Sequence, residues 1–145
     1  MRFRTYVIQA SLLAIALSLA LSSCSQPILE PESCMAARDV VKRLYSIHMD
    51  GGVIKDSNSL DRIKPFLSDT LLEQIKGEIG KSFDYLTQTE NFPKAFRVGG
   101  CKVVDGKPEF SVLLFWKTEE KSTQREIIVS TTKTEGWVVE KVKSK

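Results

Sequence analysis

Histidine is almost missing from this chain, with His48 the single copy among 145 residues. A catalytic zinc centre draws on several imidazoles, thiolates or carboxylates. One imidazole and few free thiolates fall short of that supply, so no metal and no cofactor are expected. No Gly-x-Ser-x-Gly elbow, P-loop or dinucleotide fingerprint occurs, and Gly77-Glu78-Ile79-Gly80 falls inside a helical pattern where it cradles nothing. The run Asp56-Ser57-Asn58-Ser59-Leu60-Asp61 opens like a calcium loop. It lacks glycine at the sixth place and has Leu67 where the bidentate glutamate belongs, so it reads as a turn feeding a helix cap. Charge of one sign is lacking too: 21 basic residues face 18 acidic ones. Without a concentrated basic face no nucleic-acid partner is expected. The ending Lys141-Val142-Lys143-Ser144-Lys145 reads as a solvated end. No apolar run reaches the roughly 20 residues that cross a bilayer.

What is present is concentrated first at the amino terminus. Arg2 and Arg4 form a positive patch, Ala10 to Leu21 form an apolar stretch diluted by Gln9 and Ser18, and Leu21-Ser22-Ser23-Cys24 follows. This order of parts is that of a cleavable signal, and the last four residues resemble the lipobox of bacterial lipoproteins. The resemblance implies that residues 1–23 are a signal peptide and that Cys24 becomes the acylated new amino terminus, anchoring the protein to a membrane of the cell envelope. Ser25, where an aspartate would retain the protein, resembles the sorting pattern of outer-membrane lipoproteins. In a Gram-negative source that implies an outer-membrane anchor facing the periplasm. Residues 24–32, broken by Pro27 and Pro31, read as a tether with nothing to pack against.

Residues 33–145 then read as one domain. From Ser33, a candidate N-cap, Cys34, Ala37, Val40, Val41, Leu44, Ile47 and His48 fall on one helical stripe, opposite Asp39, Lys42, Arg43 and Ser46. Asp50-Gly51-Gly52 ends this helix near residue 49. A short helical piece from Ser59 carries Leu60, Ile63, Phe66 and Leu67 and is limited by Pro65. A third helix opens at Ser68-Asp69 and carries Leu71, Leu72, Ile75, Ile79, Phe83 and Leu86 to about Thr87, weakened by Gly77 and Gly80.

After Pro93 the period changes to two. Phe96, Val98, Cys101 and Val103 suggest a strand with a bulge at Gly99-Gly100, and Asp105-Gly106 signals a hairpin. Glu109 to Lys117, apolar on both faces, should be an inner strand. Arg125 to Thr132 and Trp137 to Val142 follow as the third and fourth strands. The fold class is α+β: about three helices packed on a curved four-stranded antiparallel sheet. If Cys24 carries lipid, Cys34 and Cys101 remain, and an even pair in an oxidising compartment invites a disulfide. The alternative is two buried thiols packed as small hydrophobes.

The stretch Val40-Val41-Lys42-Arg43-Leu44-Tyr45, the Leu67-Ser68 junction and the closing Gly136-Trp137-Val138-Val139 resemble small bacterial envelope lipoproteins of the nuclear-transport-factor-like, or cystatin-like, cone superfamily. Enzymes of that superfamily place an Asp base with Tyr donors, or a His and Asp pair, inside the cone. Here the corresponding supply is His48 with Asp50, and Tyr45, His48, Tyr85 and Trp116 are the candidate pocket lining. Aromatic residues at core spacing usually pack the core, so no catalytic residue is expected. Two readings follow: a non-catalytic module that docks another envelope protein, or a small-ligand binder using the mouth of the cone. A cone-fold enzyme comes third. Phe115, Trp116 and Trp137 separate the first two by whether they share an open patch or line a pocket.

Overall fold

The computed structural model describes residues 29–117 and 121–145. Cys24, the signal sequence and most of the tether lie outside these residues. The architecture is α+β, with helices followed by an open antiparallel sheet of strand order β1-β2-β3-β4.

Helix α1 spans Glu32–Gly51. It begins one residue before the expected cap at Ser33. Pro31 occupies the cap position without a side-chain hydrogen bond, and its carbonyl accepts the Met35 N–H at 3.1 Å. A proline has no N–H of its own to leave unsatisfied there. The far end closes at Gly52, whose φ of 76° is open to glycine and whose N–H donates to the His48 carbonyl. Cys34, Ala37, Val41, Leu44, Tyr45 and His48 form the buried stripe. Val40 and Ile47 flank it, half-buried.

Helix α2 spans Ser57–Asp61 and is set by a reciprocal capping box. The Asp56 carboxylate accepts the Ser59 N–H at 2.8 Å, and Ser59 Oγ accepts the Asp56 N–H at 3.2 Å. The calcium-like run is thus spent on a helix start. A 3-10 turn at Lys64–Phe66 accommodates Pro65 near its start, and Ile63 and Leu67 on either side enter the core. Helix α3, Asp69–Glu78, is capped by Ser68 Oγ on the Leu71 N–H. It stops well short of the expected Thr87. Ile79 leaves helical geometry with ψ 130° and Gly80 takes φ 86°, so the weakness introduced by Gly77 and Gly80 ends the helix instead of bending it. Residues 79–94 form an irregular loop that still delivers Leu86 to the core.

The strands are β1 Ala95–Val104, β2 Lys107–Lys117, β3 Ser122–Lys133 and β4 Trp137–Ser144. The β1–β2 register shifts between Val98 and Cys101, at the two glycines. A Cβ on Gly99 would sit 3.2 Å from the Ser111 carbonyl oxygen, so any side chain there would require Ser111 to give way by a few tenths of an ångström. Asp105 and Gly106, with φ of 50° and 77°, turn β1 into β2. On β2, Phe110, Val112 and Leu114 are buried under α1 with Ile127, Val129, Val139 and Val142 from the next strands, while Leu113 and Phe115 on the other face are half-exposed. The β4 edge is partly covered, since Leu67 pairs with Val139 and the Ser68 N–H donates to the Val139 carbonyl at 2.9 Å.

Two contacts tie the start of α1 to the β1 bulge. Cys34 and Cys101 are joined as a disulfide, with Cα atoms 5.9 Å apart. One turn later the Arg38 guanidinium donates to the Gly99 carbonyl at 2.8 Å, lies 5.3 Å from the centre of the Phe110 ring and forms a salt bridge with Glu30. Glu30 and Glu32, read from the sequence as tether, therefore belong to the ordered body. A crosslink closing 67 residues restricts the unfolded chain by about 4 kcal/mol. A Cys34→Ser, Cys101→Ser double variant should lose stability of that order in urea unfolding under oxidising conditions. Coincident midpoints for variant and parent would show that the bond contributes nothing.

Candidate functional site

The only histidine is the natural starting point. His48 sits in the last turns of α1 with its side chain sealed among core residues, and Asp84 reaches it from the 79–94 loop. Nε2 lies 2.9 Å from Oδ2 and 3.2 Å from Oδ1 of Asp84, and the hydrogen-bonding direction runs to Oδ1. The two side chains are 1% and 3% exposed. Phe92 stands edge-on to the imidazole with centroids 5.1 Å apart. Asp50, the partner anticipated from the sequence, is instead on the surface beside Arg62.

Asp84 does more than face the imidazole. Its Oδ1 accepts the Thr87 N–H at 2.9 Å, and its backbone exchanges two hydrogen bonds with Thr89. Thr87 and Thr89 hydroxyls meet at 3.0 Å, and Thr89 Oγ1 donates to the Asn91 carbonyl. This knot holds Gln88 at φ 56°, a conformation that costs a non-glycine residue on the order of 1 kcal/mol or more. The Gln88 carbonyl accepts from Arg125 of β3, and its side-chain amide donates to the Tyr85 carbonyl. Buried polar groups are thereby converted into a fixed loop shape.

The four residues anticipated as pocket lining separate into three places. Tyr45 is fully buried; its hydroxyl donates to the Leu86 carbonyl at 2.8 Å and its ring packs on Phe96. Burial, and secondarily the nearby Asp84 charge, push its phenol well above the ordinary value of 10.0. His48 joins it in the core. Tyr85 is half-buried, bonds Gln74 through its hydroxyl and borders a hollow of about 10 Å³ with Asp84, room for about one water. Trp116 alone faces a larger opening, a shallow cleft of about 930 Å³ between the loop carrying Gln88 to Lys94 and the facing ends of β2 and β3. Its indole N–H donates to the Asn91 carbonyl at 2.8 Å.

Phe115, Trp116 and Trp137 do not share a patch. Phe115 points to the outer sheet face, whereas Trp116 and Trp137 flank the core from opposite ends of the sheet. The outer face carries a ladder of charges over half-buried apolar residues. Glu109 meets Lys143, Ser130 and Lys102, and Glu126 meets Lys145 and Ser111. The Lys143 hydrogen bond is the main cause holding Glu109 below the usual carboxylate range, and Lys145 does the same for Glu126. Between these charges lie Leu113, Phe115, Ile128 and Val138. No helix among the described residues packs on them.

Removing one partner of a buried pair leaves the other uncompensated. Asp84→Ala, which leaves the buried His48 imidazole and the Thr87 N–H without their partner, should cost about 1–3 kcal/mol for each group and speed hydrogen exchange at the Thr87 and Thr89 amides. Asp50→Ala, breaking an exposed pair, should cost less than about 1 kcal/mol; equal losses would remove the distinction. A phenol whose folded pKa is raised favours folding fully below the unfolded value of 10.0 and progressively loses that effect as pH rises above it. Tyr45→Phe, which leaves the Leu86 carbonyl without its donor, should cost about 1–3 kcal/mol at neutral pH and flatten the alkaline loss of stability measured by urea unfolding between pH 8 and 11.

No protein-family model, no curated protein and no solved structure matches this chain, so the functional reading rests on its own residues.

Proposed function

We propose that the protein is a lipid-anchored module of the bacterial cell envelope, held to the membrane by acylated Cys24 and docking another envelope protein through the outer face of its sheet. The mature chain would run from Cys24 through a tether into a single cone-like body. The observation that carries the docking role is the outer face: Leu113, Phe115, Ile128 and Val138 stand half-buried between ion pairs whose partners are already within the chain, with no helix among the described residues over them. An apolar strip bordered by fixed charges suits a partner that covers the apolar residues and stays in register with the ladder. The His48–Asp84 pair is sealed away from substrate, which weighs against a cone-fold enzyme built on that pair. A second reading, small-ligand binding, is favoured by the Trp116 cleft.

Two measurements test the proposal separately. A fatty-acid probe should label the wild-type protein and not a Cys24→Ala form; an unlabelled wild type overturns the anchor. Crosslinking in cells should then yield a discrete adduct that Phe115→Lys or Ile128→Lys reduces at least tenfold while the variant keeps its fold by circular dichroism. An adduct indifferent to both substitutions overturns the sheet-face role.

A further inference from the structure

The cleft beside Trp116 has a chemistry that neither the anchor nor the outer sheet face uses. Its wall is built from the ends of β2 and β3, which supply Trp116, Lys117, Thr123, Gln124 and Arg125, and from the loop that supplies Gln88, Asn91 and Lys94. Among its lining residues three are cations, Lys94, Lys117 and Arg125, against one carboxylate, Glu90. None of the three cations forms an ion pair with another described residue. Arg125 is held in place through its Gln88 contact, which employs Nη1 and leaves the rest of the guanidinium open. Among the described lining residues positive charge therefore exceeds negative, and Arg125 is the cation whose head group a hydrogen bond holds.

The apolar element is equally specific. Trp116 has satisfied its only donor on the Asn91 carbonyl, so what it offers a ligand is its ring. Phe83 adds a second ring at the rim. The side-chain amides of Asn91 and Gln124 and the Thr123 hydroxyl supply donors and acceptors at the same opening. The opening, about 930 Å³, falls in the range of small-molecule sites.

The loop is also pre-shaped. Left-handed Gln88 is retained because Asp84, itself seated on His48, fixes the turn from Asp84 to Thr89. Local strain maintained by a buried network is what a binding loop needs to present its groups without reordering on contact.

We propose that this cleft binds an acidic saccharide: one or two sugar rings, one of them against Trp116, hydroxyls on the amides of Asn91 and Gln124, and a carboxylate among Lys94, Lys117 and Arg125. A neutral sugar would make no use of the excess of cations among the described lining residues, and a simple inorganic anion would leave the aromatic rings unused. This site is independent of the sheet-face docking role, and its failure would leave that role untouched.

The test uses residues 24–145 carrying Trp137→Phe, so that of the two tryptophans only Trp116 reports. Titration with trigalacturonate, and separately with the disaccharide of N-acetylglucosamine and N-acetylmuramic acid, should give a saturating change in Trp116 emission for at least one of them. The pair distinguishes a ring carboxylate from an ether-linked one. Maltotriose should bind at least tenfold more weakly than the better acid. A Lys94→Gln, Lys117→Gln double variant, altering only exposed side chains, should lose at least tenfold in affinity, while Lys141→Gln on the outer face should change nothing. The proposal is overturned if neither acid produces a saturating change, if maltotriose binds as well, if inorganic phosphate reproduces the response, if ATP binds more tightly than both acids, or if the double variant binds normally.

Discussion

Helix α1 buries one stripe, from Cys34 to His48, against the inner face of the sheet, and each end of that stripe carries a tie of different chemistry. At the start, the disulfide to Cys101 and the Arg38 contact to the Gly99 carbonyl fasten the helix to the β1 bulge. At the far end, His48 fastens it to Asp84. Between them Ala37, Val41, Leu44 and Tyr45 fill the space over Phe110, Val112 and Leu114, each large side chain contributing roughly 1.5–3 kcal/mol by its burial. The hydrophobic stripe supplies most of the adhesion. The ties determine where along the sheet it sits.

The same arrangement explains why the centre of the fold is not a binding chamber. The space between helix and sheet is filled, with Tyr45, Phe110 and Leu114 occupying it with no exposure. The polar groups buried there serve the loop. Asp84 presents one carboxylate to the imidazole, to a backbone amide and to the field felt by the Tyr45 phenol. The polar groups open to solvent lie elsewhere, on the outer sheet face and in the cleft where the loop meets the ends of β2 and β3.

Much of the fold was legible because it is written in local periods. The spacing of Ala37, Val41 and Leu44, the alternation of Phe110, Val112 and Leu114, and Asp105-Gly106 each declare themselves within a few residues. Cys34 and Cys101 were legible by count. The end of α3 was not, because Leu86 continues a helical spacing although the chain has already turned at Gly80. Nor could spacing reveal that Asp84 meets His48 across 36 positions or that Arg38 meets Gly99 across 61. Single polar matches between distant segments have no period. For the same reason Trp116 could be suspected of facing an opening, whereas Gln88, Asn91 and Arg125 became its neighbours only through the left-handed turn.

Glu30, paired with Arg38, would also set the reach of the proposed anchor. Were Cys24 acylated as proposed, Glu30 would stand six positions along the chain from it, at most about 20 Å away. A folded unit of this size has a radius of gyration of about 13 Å, hence a diameter above about 30 Å, so that reach would be shorter than the body is wide. A body anchored in that way would not tumble freely above a bilayer. The head of α1 and the β1 bulge would be turned toward the lipid, and a partner would have to approach from the side or from above.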